Sequence, residues 1–167
     1  YITFIWILYY ELDVVFIAKF LGASKVASFS LAFVFIQFLR SISSIILSPF
    51  LSRYNHFIGL KDYNSLKVLI IKVIKLTMPF FVFTTLIISL YSSGLIYSFG
   101  GSQYDDSVSV LLIFSLVFMF DFVVVPTGNL LVSLEKIKLL YLISTSVLIV
   151  YWIGVLLTFK HLEIITF

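Results

Sequence analysis

The run from Val26 to Ser52, VASFSLAFVFIQFLRSISSIILSPFLS, constrains the chain more than any other stretch. It is long and apolar enough to cross a bilayer, yet it holds an arginine and several hydroxyls. At about 100° per residue of helix, Ser30, Gln37, Arg40, Ser41, Ser44 and Ser48 fall within an arc of roughly 100°. The opposite side is Leu, Val, Ile and Phe. An arginine near mid-span costs at least ~2.5 kcal/mol if it faces lipid. The stripe is therefore expected to face protein or a wet cavity, as a path for polar cargo would require.

The rest of the chain is of the same kind. Hydrophobic residues make up 62% and charged residues 11%, where a soluble domain has roughly 25% charged. These values predict an all-α polytopic membrane protein. Its 167 residues allow about five spans of about 20 residues, with little left over. They are expected at about 1–18, 26–51, 74–99, 108–134 and 139–159, forming one transmembrane bundle. The chain opens on Tyr1 inside an apolar run, without a starting Met or a basic leader, and is expected to be part of a longer protein. It has no cysteine, which removes disulfides, thiolate metal sites and cysteine nucleophiles. Nothing in it calls for a cofactor, a metal or a nucleic-acid partner.

Between the spans, Lys19, Gly22 and Lys25 read as a tight turn at a membrane surface. Pro49 is expected to bend or stop the second span. Arg53 to Lys75 is basic, and its second half is amphipathic, with Lys61, Asn64, Lys72 and Lys75 opposite Leu66, Leu69, Ile70 and Val73. It reads as an interfacial helix running into the next span. Gly100 and Gly101 permit a sharp turn, and Asp105 and Asp106 are expected to be solvated there. Pro126, Gly128 and Asn129 could interrupt the fourth span or simply kink it. His56 and His161 fall in expected loops, without a second ligand at metal spacing. With an inside start, the inner loops hold Arg53, Lys61, Lys67, Lys72, Lys75, Lys136 and Lys138, against Lys19, Lys25 and Lys160 outside. Seven against three favours that orientation under the positive-inside rule.

Several blocks, taken in order, resemble one family. Asp13-Val-Val-Phe-Ile17-Ala-Lys-Phe-Leu21-Gly22-Ala, followed by Val26-Ala-Ser-Phe-Ser30-Leu-Ala-Phe, is similar to the span that opens the second half of Wzx-type polysaccharide flippases. Phe99-Gly-Gly-Ser-Gln-Tyr104, Leu111-Leu112-Ile113, and Gly128-Asn129-Leu-Leu with Lys136-x-Lys138 resemble later spans of that family. Ala18 and Ala27 stand where glycine is common, and Phe29 where tyrosine is. The family belongs to the multidrug/oligosaccharidyl-lipid/polysaccharide exporter superfamily, which places two helical bundles around a central cavity. The resemblance implies that this chain is the first five helices of the second bundle of a multi-pass protein of the bacterial plasma membrane. It also implies a lipid-linked oligosaccharide as cargo for cell-surface polysaccharide such as O-antigen or capsule, the missing half as partner, and no enzyme chemistry. Proton or sodium coupling is an option in that family.

Among the polar residues, Glu11 and Asp13 are two apart and point about 160° from each other, so they cannot act as a carboxylate pair. Asp13 is expected to hydrogen-bond near the turn and shares a face with Trp6 and Tyr9, while Glu11 is a candidate for the cavity or for coupling. Asp121, flanked by Phe120 and Phe122, is expected to pair with a polar partner or to act in coupling. Arg40, with Gln37, Ser41 and Ser44, is the candidate anion-binding group, or else the ion-pair partner of Glu11, Asp121 or an acid of the missing half. The rival readings are a cation-coupled multidrug antiporter of the same superfamily and an integral-membrane polymerase or acyltransferase. The latter would need a large polar loop or an Arg/His/Asp cluster, and the sequence has neither.

Overall fold

The computed structural model describes residues 12–157, apart from the side chain of Leu156, and these are almost entirely helical, with no strand. Six α-helices follow one another: α1 (Leu12–Phe20), α2 (Ala23–Gly59), α3 (Tyr63–Gly100), α4 (Asp106–Met119), α5 (Asp121–Ser133) and α6 (Ile137–Leu157). One 3₁₀ turn, Ser102–Tyr104, lies between α3 and α4. Three helices are long and apolar enough to span a membrane, and α4 with α5 makes a fourth span broken by a 51° bend. The chain is an all-α transmembrane bundle. The first expected span falls mostly outside the described residues.

Helices α2 and α3 have 37 and 38 residues. At about 1.5 Å per residue each is roughly 55 Å long, well beyond the ~30 Å of bilayer hydrocarbon. The basic segment between them is therefore built from the ends of two long helices. Its amphipathic half is the first part of α3 itself, and the reversal takes place at Leu60–Asp62. There Lys61 adopts φ 56. Asp62 starts α3 by accepting a bond from the Ser65 N–H at 3.0 Å. That bond satisfies one of the orphan donors of the first turn. It also holds the Asp62 carboxyl below its usual pKa.

Pro49 does not stop α2, which runs ten residues further to Gly59. The ring removes the N–H that would have reached the carbonyl of Ile45. Ser48 supplies a replacement, its hydroxyl donating to that carbonyl at 3.1 Å. A freed carbonyl repaired by a neighbouring hydroxyl is a standard way for a membrane helix to carry proline. The fourth span is also interrupted elsewhere than expected. The break falls at Phe120, where the Phe120 N–H turns back to the Val117 carbonyl at 3.0 Å. Pro126 is fully buried inside α5 and leaves that helix unbroken through Gly128 and Asn129. A new helix starting at Asp121 has an acid in its first turn, where the positive end of the macrodipole favours it.

The core is a seam shared by α2, α3 and α4, with Phe29, Ala32, Ile36, Leu47, Val73, Phe81, Ile88, Ile96, Val110, Leu111 and Phe118 all buried. Phe81 and Phe118 pack ring to ring at 5.0 Å, and Phe29 meets Phe114 edge-on at 5.4 Å. Between these apolar contacts lie small hydroxyl residues, Ser28, Ser43, Thr77, Thr85, Ser92, Ser107 and Ser115, all buried. Two of them cross between helices: Thr85 Oγ1 donates to the Ser115 carbonyl at 3.0 Å, and Ser107 Oγ to the Ser28 carbonyl at 2.7 Å. In lipid, packing and such bonds bring helices together where hydrophobic burial cannot.

Two glycines make the turns at one end of the bundle. Gly22 has φ 89 and ψ 168, and Gly101 φ 82 and ψ 175, a region essentially closed to residues with a Cβ. Gly100 serves a different need. A Cβ there would come within 2.7 Å of the side chains of both Leu31 and Tyr104.

Candidate functional site

Three contacts fix how α2 lies against the broken span. Lys25 Nζ meets Asp106 Oδ2 at 2.6 Å, Ser107 bonds the Ser28 carbonyl, and Arg40 Nε meets Asp121 Oδ2 at 3.2 Å. Residue numbers rise together on both sides, with 81 between the partners of each ion pair. Helix α2 is thus parallel to α4 and α5. It is tied to each half of the broken span by one ion pair, with the bend between them.

The two pairs sit in different surroundings. Lys25 and Asp106 have side chains 39% and 45% exposed, at the rim of the bundle. Asp106 is therefore paired, not simply solvated as expected, and its neighbour Asp105 accepts the hydroxyl of Tyr97. Arg40 and Asp121 are 27% and 11% exposed, in the middle of the span. A charge pair there avoids the cost either charge would have alone in a medium of low dielectric.

Around Arg40 the expected stripe keeps its polar character. Gln37 and Ser30 are half-buried, and Ser41, Ser44 and Ser48 are exposed. Ser41 donates to the Gln37 carbonyl at 2.9 Å, and Ser48 repairs the gap at Pro49. The buried side of α2 runs instead through Ser28, Ala32, Ile36, Ser43, Leu47 and Tyr54. Arg40 therefore stands at the edge of the packed seam, with its carboxylate partner on one side and an exposed row of hydroxyls on the other.

The other candidates separate. Asp13 is buried and accepts the Tyr151 hydroxyl of α6 at 2.8 Å, next to the Phe16–Trp152 ring contact at 4.9 Å. It belongs to the α1–α6 contact, away from Arg40. Glu11, Trp6, Tyr9 and His161 lie outside the described residues. His56 is exposed, on the last turns of α2 and not in a loop. Among the described residues no three His, Asp or Glu side chains gather as a metal-ligand set. Arg53, Lys61, Lys67, Lys72, Lys75, Lys136 and Lys138 meet no acid at ion-pair distance among the described residues.

Sequence reading did not single out Tyr151, the ion pair of Lys25, which it placed only in the surface turn, or the interhelical hydroxyls. A signal for the last group was present: Thr77, Thr85 and Ser92 recur at roughly two-turn intervals along one side of α3.

The sequence profile of the MatE family matches residues 2–157, nearly the whole chain. The chain belongs to the MatE family. No curated protein and no solved structure matches it significantly. MatE proteins are membrane transporters of the multidrug/oligosaccharidyl-lipid/polysaccharide exporter superfamily, not enzymes, and the apolar helices of this chain agree with that role. As a MatE chain it acts within the lipid bilayer.

Proposed function

We propose that this MatE chain is part of a flippase that carries a polyprenyl-pyrophosphate-linked oligosaccharide from the inner to the outer leaflet of the bacterial plasma membrane. The observation that supports this reading is Arg40, a fixed cation at mid-span beside the half-buried Gln37 and the exposed Ser41 and Ser44. A pyrophosphate brings permanent negative charge into a low-dielectric region and needs a donor that stays protonated there. The guanidinium, with its pKa above ~12 and its planar fork, meets that need better than an ammonium.

The stripe would line the cavity between this bundle, which supplies helices from the start of a second half, and a partner bundle elsewhere in the protein. The two would rock to give alternating access. Under the positive-inside rule, the seven cations at the Arg53–Lys75 and Lys136–Lys138 end favour a cytoplasmic location for that end. Cation-coupled multidrug export fits the family equally well, and carboxylates among Glu11, Asp13 and Asp121 would then carry the coupling ion.

Reconstitution of the full-length protein separates the readings. Vesicles should translocate a prenyl-pyrophosphate-linked sugar, Arg40→Gln should abolish this at equal amounts of folded, reconstituted protein, and a cationic dye should not be exported. Dye efflux coupled to a proton or sodium gradient, without sugar-lipid transfer, would establish the antiporter instead.

A further inference from the structure

We infer that Asp121 is the counter-ion that an anionic cargo group must displace from Arg40, so that this pair selects for anionic headgroups. The inference rests on the reading of Arg40 as the cargo's phosphate ligand, and adds to it the residue that competes for the same cation.

Three features of the pair support the exchange. Arg40 sits on α2, which is continuous from Ala23 to Gly59, on the same arc as the exposed Ser41 and Ser44, and more than a quarter of its side chain is exposed. Its position is fixed and a ligand can reach it. Asp121 begins α5 immediately after the 51° bend that separates this helix from α4. The N–H groups of the first turn of α5 favour a negative charge there, so the carboxylate keeps compensation when it releases the guanidinium. Meanwhile Lys25–Asp106 and Ser107–Ser28 hold α4 to α2 independently. Release at Arg40 therefore leaves the other half of the broken span in place.

The exchange filters by charge. A neutral or cationic molecule gains nothing from Arg40 while Asp121 is on it, and cannot repay the loss of that partner. A pyrophosphate can, because it brings more charge and more acceptor oxygens than one carboxylate. Affinity falls in proportion to the fraction of carriers in the competent state, so a pair closed in nine-tenths of molecules weakens anion binding about tenfold.

The test measures binding of geranyl pyrophosphate and of geraniol to the full-length carrier in detergent, each variant first checked for a cooperative melting transition. Asp121→Asn should bind the pyrophosphate about tenfold more tightly than wild type and geraniol unchanged, because the neutral amide no longer competes. Arg40→Gln should lose pyrophosphate binding. In wild type, adding geranyl pyrophosphate should shift a carboxylate band in the infrared difference spectrum, and geraniol should not; absence of that shift overturns the counter-ion role even if Asp121→Asn does not fold. Equal or weaker pyrophosphate binding by folded Asp121→Asn, or no carboxylate shift on binding, would overturn the counter-ion role while leaving Arg40 as ligand. Unchanged binding by Arg40→Gln would overturn both.

Discussion

Removing Arg40 while leaving Asp121 in place should be the most damaging single charge change in the bundle. At an effective dielectric of about 20, unit charges about 4 Å apart attract by about 4 kcal/mol, and the loss of water around both ions offsets much of this. The pair as a whole therefore contributes little relative to two neutral groups. Breaking it is a different matter. A fully buried pair that loses one partner costs roughly 3–5 kcal/mol, because the survivor is left uncompensated. Asp121 is 11% exposed and lies at a helix N-terminus, which lowers the expected cost of Arg40→Gln to about 2–3 kcal/mol. Asp121→Asn should cost about 1 kcal/mol, since Arg40 is more exposed and its long arm can turn toward water or the headgroups. The double variant should return to within about 1 kcal/mol of wild type, a coupling of about 2 kcal/mol. Melting of the four detergent-solubilised full-length proteins measures the cycle. The same cycle at the exposed Lys25–Asp106 pair should give less than about 1 kcal/mol. Additive losses at Arg40 and Asp121, or a coupling no larger than at the rim, would refute the reasoning.

Ser48→Ala should cost about 1 kcal/mol by leaving the Ile45 carbonyl unpaired, and almost nothing in a Pro49→Ala background, where a backbone N–H is again available; melting of the two single variants and the double one checks this. The start of α3 should loosen on acidification. The Asp62 carboxyl titrates lower in the folded chain than in the unfolded one, so its contribution is complete above the unfolded pKa of about 4 and fades as pH falls through the folded value. Hydrogen exchange at the Ser65 amide should accelerate over that range relative to amides of mid-α3, and Asp62→Ala should remove the pH dependence.

Much of the bundle was legible in the sequence because composition and periodicity are local. The apolar runs, the one-sided stripe of α2 and the Gly100–Gly101 reversal follow from residue types at short spacing. The need of Arg40 for a partner was legible too, but the choice of Asp121 was not, since it depends on two parallel helices meeting with 81 residues between them. The same separation hid the Lys25–Asp106 pair, where adjacent aspartates in a turn read as solvated. The continuation of α2 past Pro49 was not legible, because the steric rule is local and the repair depends on the hydroxyl of Ser48 turning back to Ile45. The bend at Phe120 carries no proline or glycine of its own, and the residue type that signals a break, Pro126, is one that α5 accommodates.

The central claim is that the Arg40 stripe faces a wet cargo path while its neighbours on α2 face lipid. Adjacent residues test it: Ser44 lies on the stripe, and Ile45, 73% exposed in the bundle, lies about 100° away on the apolar side. Single cysteines at the two positions, in a cysteine-free full-length carrier in native membranes, would be exposed to a water-soluble maleimide. The account predicts fast labelling of Ser44→Cys, slowed by prenyl-pyrophosphate-linked sugar, and almost none of Ile45→Cys. Equal labelling at both sites, or faster labelling at Ile45→Cys, would contradict it.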